Sequence, residues 1–222
     1  KQKGSTQTEV RNMSKVLLIN GSPNEYGCTY TALQEIIDTL HGLDVGTELV
    51  WLGKRPIAGC IACNTCHTSE DGQCIIHDMV NELDNRLDEF QGIIVGAPVY
   101  YAGPAGQITA FLDRFFYRNP TRFAGKLGAS VVSCRRGGAS ASFDRLNKYF
   151  TVTNMPLVTS QYWNQVHGFT PEDVKKDVEG LQTMRTLARN MAWLLKCIEA
   201  GDAAGVQRPY YEEEIRTNFI GE

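Results

Sequence analysis

The chain has 222 residues, of which 42% are hydrophobic and 21% charged, and its net charge is −3. That length suits one domain with extensions and a large core, and the charge balance lacks the Lys/Arg surplus of a nucleic-acid binder. No apolar run approaches the ~20 residues needed to cross a membrane, and the polar first twelve residues lack the apolar centre of a signal peptide.

The expected setting is therefore cytoplasmic, with no membrane and no nucleic-acid partner. Lys1–Asn12 reads as a disordered extension or cloning remnant ahead of a natural start at Met13. Seven cysteines, an odd number, argue for free or metal-binding thiols and against a disulfide framework.

Lys15–Asn20 (KVLLIN) is a short apolar run expected as a buried strand, broken by Gly21-Ser22-Pro23-Asn24. A helix follows, with Leu33, Ile36, Ile37 and Leu40 on one face. Thr47–Leu52 alternates as a second strand, and an irregular cysteine-rich loop spans residues 53–76. Asp78–Phe90 reads as a helix, and Gly92–Val99 as the clearest buried strand. Pro104–Phe116 is helical in pattern, Gly128–Cys134 is a fourth strand, Ala139–Phe150 a fourth helix and Leu157–Val166 a fifth strand. A last helix is expected from Thr170-Pro171-Glu172-Asp173, which supplies an N-cap, an N1 proline and first-turn acids, to Gly201. The domain is thus expected over 13–205, with a C-terminal tail over 206–222.

Strand and helix alternate five times, which predicts a parallel sheet covered by helices on both faces. Ligands of such sheets bind beyond the carboxyl ends of the strands, so three loops carry the functional expectation. The first, Gly21–Thr29, is small and hydroxyl-rich and opens a helix whose unpaired N–H groups suit a phosphate. It lacks the Lys of GxxxxGK[ST] and the GxGxxG fingerprint; its plain alternative is an ordinary strand-to-helix turn. The second, Gly96–Pro104, offers Tyr100 and Tyr101 either to a flat ring or to packing on helices. The third, Ser133-Cys134-Arg135-Arg136-Gly137-Gly138, offers N–H groups and Arg135 or Arg136 to the anionic edge of such a ring, or leaves the arginines solvated.

Ser22–Thr29, with Pro98–Gly103 and Phe111-Leu112-Asp113-Arg114, resembles the NADPH-dependent FMN reductase and iron–sulfur flavoprotein branch of the flavodoxin superfamily, over roughly Lys15 to Ala200. The resemblance implies a flavodoxin-like three-layer α/β/α fold with a five-stranded parallel sheet in order 2-1-3-4-5. It implies FMN phosphate on Ser22, Asn24, Cys28 and Thr29, with Pro23 among them. It implies the ring between Pro98-Val99-Tyr100-Tyr101-Ala102-Gly103 and the third loop, where Ser133, Arg135, Gly137 and Gly138 are the candidate contacts. The family usually carries Arg at the position of Asn24 and Asn at that of Cys28, so the phosphate contacts differ in detail here.

Cys60, Cys63, Cys66 and Cys74 are spaced closely enough to ligate a [4Fe–4S] cluster or a zinc ion, or to remain free thiols. The spacing resembles the cluster motif of iron–sulfur flavoproteins, with a longer last gap. Cys197 is expected as buried helix packing; His67 beside Cys66 is the one histidine near the group, while His77 and His167 read as structural or exposed. The expected activity passes electrons from NAD(P)H through FMN to a quinone, a small electrophile or the cluster. The alternative is an FMN electron carrier without its own substrate. Expected partners are a small-molecule acceptor or a redox protein, in a homodimer or homotetramer.

Overall fold

The computed structural model describes residues 14–213, 215 and 217. The expected extension Lys1–Asn12 and start at Met13 lie outside the described residues, as does most of the tail's end.

Five parallel strands form the sheet: β1 (Lys15–Asn20), β2 (Gly46–Trp51), β3 (Gly92–Tyr100), β5 (Leu127–Cys134) and β6 (Gln165–His167), in the order β2-β1-β3-β5-β6. A two-residue strand, β4 (Gly103–Pro104), folds back antiparallel on β3. Without that hairpin strand the order is the expected 2-1-3-4-5.

Alternation sorts the central strands onto two cores. Leu17, Ile19, Ile93 and Val95 face one side, against α3 (Met79–Asn85), α4 (Gly106–Arg118) and α5 (Ala139–Val152). Val16, Leu18, Ile94, Ala129 and Val131 face the other, against α1 (Cys28–His41) and α7 (Val178–Ala203). Burial on both faces is why these strands read as continuous apolar runs. On the first side Phe115, Phe116, Phe123 and Phe150 interlock, with Phe116 stacked on Phe123 at 4.4 Å between ring centroids.

Several expected elements end differently. The helix over Asp78–Phe90 is α3 followed by a 3₁₀ turn, Leu87–Glu89, because Arg86 leaves the helical path. The helix expected from Pro104 begins at Gly106, since Pro104 belongs to the hairpin. The fifth strand, expected over Leu157–Val166, keeps one bridge, Gly128 to Leu157, then departs and returns only at Gln165. The last helix is two: α6 (Pro171–Val174), closed in a capping box by Thr170 and Asp173, and α7, capped by Asp177 through a 2.9 Å bond from the Gly180 N–H. Gly201 lies inside α7, which ends at Ala203. The cysteine loop carries one short helix, α2 (Thr65–Thr68).

At the sheet edge, both Glu48 oxygens accept from Arg86 at 2.8 Å, and one also accepts from Lys15 at 2.6 Å. Arg86 first, then Lys15, draws the carboxyl from its usual 4.5 down to about 2. A carboxyl lowered on folding contributes its full stability above the unfolded value and loses it as pH falls toward the folded one. Glu48→Gln is expected to flatten the loss of stability between about pH 4.5 and 2, measured by urea unfolding across that range; an unchanged acid limb would count against the ion pair.

Candidate functional site

Parallel strands bring the loops after β1, β3 and β5 to one edge, and side-chain contacts fasten them together. Asn20, the last residue of β1, is wholly buried. Its side-chain Oδ1 accepts the Ser22 N–H at 3.0 Å, and its side-chain Nδ2 donates to the Glu25 carbonyl at 3.0 Å. One side chain therefore sets both halves of the first loop. Ser22 is buried; its hydroxyl accepts the Asn24 N–H at 3.1 Å, and its carbonyl accepts the indole N–H of Trp51 at 2.8 Å. Pro23 and Asn24 form the outer bend.

α1 then starts at Cys28 on Gly27, which supplies no side-chain cap. The first N–H groups of a helix have no partners within it, so this start presents donors and a positive dipole end to the loop. The Cys28 thiol points elsewhere, donating to the Gly168 carbonyl at 3.7 Å, and burial pushes its pKa up. Its backbone N–H remains at the helix start. Thr29 is buried, and its hydroxyl lies 2.8 Å from that of Ser133. One hydroxyl of that pair donates to the other, leaving the second proton for a ligand. This bond joins the first loop to the third.

The second loop is the β3–β4 hairpin. Tyr101 and Ala102 both have positive φ, 50° and 59°, at the two central positions of a turn that ordinarily takes Gly or Asn. Such strain in a non-glycine pair is characteristic of binding sites. The turn carries Tyr101 wholly into solvent and leaves Tyr100 half exposed. Pro98, Val99 and Gly103 are half-buried along the hairpin.

The third loop leans on this turn. Gly138 has φ +93°, and a Cβ there would lie 2.6 Å from Ala102 Cα and 2.8 Å from Val99 Cγ1. Beside it Gly137 faces open space, and Arg135 and Arg136 are exposed. Arg135 also borders an open depression of about 670 Å³ with His167, Gly168, Phe169 and Asp173. The Cys134 thiol contacts His167 Nδ1 at 3.5 Å. This β6 rim was not foreseen: His167 reads in sequence as an isolated histidine, and its proximity to β5 arises only from strand pairing. Asn20 had a signal, a polar residue ending an apolar strand.

The four cysteines of residues 53–76 line one small pocket with Ile61, Asn64, Ile75, Ile76 and Tyr117. Their sulfurs accept hydrogen bonds: Cys60 from the Ala62 N–H at 3.4 Å, Cys63 from the Thr65 hydroxyl at 3.4 Å, and Cys74 from Arg114 Nε at 3.3 Å. The Thr65 hydroxyl lowers the Cys63 pKa; burial, and then the nearness of Cys74, Cys60 and Cys63, raises that of Cys66. Among the described residues, no three His, Cys, Asp or Glu side chains converge on a single-ion site. His67 packs edge-on against Tyr117, whose hydroxyl donates to Asn64 at 3.0 Å.

The sheet order, with helices on both faces and three loops gathered at the carboxyl edge, defines an α/β protein of the flavodoxin type. The family model for NADPH-dependent FMN reductase matches residues 14–170, and the chain belongs to that family. Its class is thereby FMN-dependent oxidoreductase.

Among curated relatives, an iron–sulfur flavoprotein of Methanocaldococcus jannaschii is 32% identical over 197 residues, covering 83% of this chain and 99% of its own. One of Methanosarcina thermophila is 26% identical over 189 residues, covering 83% and 97%. Among solved structures, RosB with a bound 8-demethyl-8-formylriboflavin-5′-phosphate intermediate shares the fold at TM-score 0.66 and 12% identity, over 94% of this chain and 92% of that one. A WrbA-like flavodoxin of Agrobacterium tumefaciens does so at 0.58 and 16%, over 83% and 98%. Among the described residues no helix is long and apolar enough to cross a membrane.

Replacing Asn20 by Ala removes both bonds that shape the first loop, each worth about 1 kcal/mol, and strands their partners. FMN affinity of the apoprotein, measured by flavin fluorescence quenching, is expected to weaken by about tenfold or more; an unchanged affinity would remove Asn20 from the account.

Proposed function

We propose that the protein binds FMN across the three loops, takes electrons from NAD(P)H and delivers them singly, by way of a [4Fe–4S] cluster on Cys60, Cys63, Cys66 and Cys74, to a quinone, a small electrophile or a redox partner. The observation that carries the flavin half is the joining of all three loops, through Thr29–Ser133 and Gly138–Ala102, around an uncapped helix start. Ser22, the helix-start N–H groups and the Thr29–Ser133 pair would hold the phosphate. The Tyr100–Tyr101 turn would cover one side of the ring. The Gly137–Gly138 N–H groups and Arg135 would meet its pyrimidine edge and favour negative charge there. FMN, when bound, supplies acceptance of a hydride and release of its two electrons one at a time. No side chain need donate or remove a proton for hydride transfer; the protein's part is to bind, orient and tune.

For the cysteines, the donor set decides between metals. A single zinc holds four thiolates at about 2.3 Å, which brings their sulfurs within about 3.8 Å of one another. A [4Fe–4S] cluster gives each thiolate its own iron and tolerates a wider ring. Four thiols around one pocket, three of them accepting hydrogen bonds, are the donor set that such a cluster takes. The names of the relatives agree. The same pocket favours a second reading, a pure electron carrier, because a relay site needs no substrate cavity.

The deciding experiment is anaerobic purification followed by absorption spectra, iron and sulfide assays, and stopped-flow mixing with NADH and NADPH. Flavin near one per chain, about four irons, and flavin bleaching within the time of turnover are expected. Flavin reduced promptly by a redox protein but not by either nicotinamide would establish the carrier, and a colourless protein that takes up no FMN would end both readings.

A further inference from the structure

α4 (Gly106–Arg118) carries a row of polar side chains that the flavin site does not use. Gln107 donates to the carbonyls of Gly53 at 3.1 Å and Arg55 at 3.0 Å. Arg114 lies one heptad further along the same face, and Arg118 one turn beyond that. The Arg118 guanidinium donates to the Gly72 carbonyl and pairs with buried Asp84 at 2.7 Å. These contacts fix a loop of more than twenty residues that has almost no regular structure of its own, a length that ordinarily needs external ties.

Arg114 is the centre of the row. Its side chain is 1% exposed, and its guanidinium has five N–H donors. All five are used. Two go to the Asp78 carboxylate, at 2.6 and 2.9 Å. One goes to the Ala58 carbonyl at 3.3 Å and one to the Ile76 carbonyl at 2.7 Å. The fifth, on Nε, goes to Cys74 Sγ at 3.3 Å. One buried cation thus grips the loop two residues before Cys60, at Cys74 itself, and two and four residues beyond it.

We infer that Arg114 is the positioning residue of the cysteine site: it closes the loop into the ring of four thiols and, through its Nε–H, stabilises negative charge on the Cys74 sulfur. The second part rests on the cluster reading above; the first does not. A charge-assisted N–H···S bond favours the more negative state of a metal-bound sulfur, so it raises the reduction potential of a cluster ligated there. Lysine keeps the charge and can still meet Asp78, but it lacks the planar fork that reaches the two carbonyls and the sulfur together.

The test uses Arg114→Lys and Arg114→Gln in the full chain, with FMN content confirming that each has folded. Hydrogen exchange on metal-free protein reads the first part. Backbone exchange over residues 58–78 should quicken about tenfold or more in both variants, while β1 and β3 stay protected. Unchanged exchange there would overturn the positioning role, whatever the protein does with iron. Redox titration of anaerobically reconstituted protein, followed by the spectrum of the reduced cluster, reads the second. Wild type should hold about four irons, and Arg114→Lys should show a more negative midpoint potential. Equal potentials at equal iron content would overturn the sulfur-tuning role. Wild type that binds no iron would overturn that role together with the cluster reading, and leave the exchange result to decide the positioning role.

Discussion

Everything at the functional edge depends on β1 lying between β2 and β3 in a parallel sheet. Backbone pairing runs Asn20 beside Trp51 on one side and beside Gly96 on the other. That register brings three facts together. The Trp51 indole reaches the Ser22 carbonyl, the Gly21 N–H meets the Gly96 carbonyl at 2.8 Å, and α1 starts directly over the end of β3. Gly96 must be glycine for that approach, since a Cβ would lie 2.9 Å from Thr29 Cγ2 and from Leu33 Cδ1. A one-residue slip would exchange the two faces of β1 and dismantle the loop with it.

The second layer of organisation is polar and sits on the α4 face of the sheet. α4 buries Ile108, Phe111, Leu112 and Phe115 against the sheet and turns Gln107, Arg114 and Arg118 to the cysteine loop. The helix therefore serves the flavin scaffold with one face and the thiols with another. Burying arginines is costly unless every donor finds a partner. Arg114 meets that condition in full, which explains how a 2%-exposed arginine is accommodated in the first helix turn past the Phe111–Leu112 contact.

The parallel sheet and its three loops are legible in the sequence because apolar runs, Gly/Pro breaks and alternation are local signals, whereas the strand order came only from the family resemblance. What escaped depends on contacts distant in the chain. The expected strand over Leu157–Val166 is interrupted because Ser160 turns its hydroxyl to the Tyr162 carbonyl and Asn164, and Asn190 of α7 holds the Thr159 carbonyl at 2.7 Å. The last helix seemed continuous because Val174, Val178 and Leu181 keep a helical period, yet Val178 is exposed; Asp177 interrupts the run to cap α7 and to accept the His167 N–H at 2.6 Å. Phe111-Leu112-Asp113-Arg114 was legible as a motif, but what Arg114 does was not, since Ala58, Cys74 and Asp78 reach it only in the fold.

The central claim is that the edge is built for a flavin phosphate, held by neutral hydroxyls and a helix start in a loop without Lys or Arg. Equilibrium titration of the apoprotein with FMN and with riboflavin isolates that phosphate, because the two ligands share ring and ribityl chain. FMN is expected to bind about a hundredfold more tightly, on the order of 2.7 kcal/mol. Equal affinities would contradict the account.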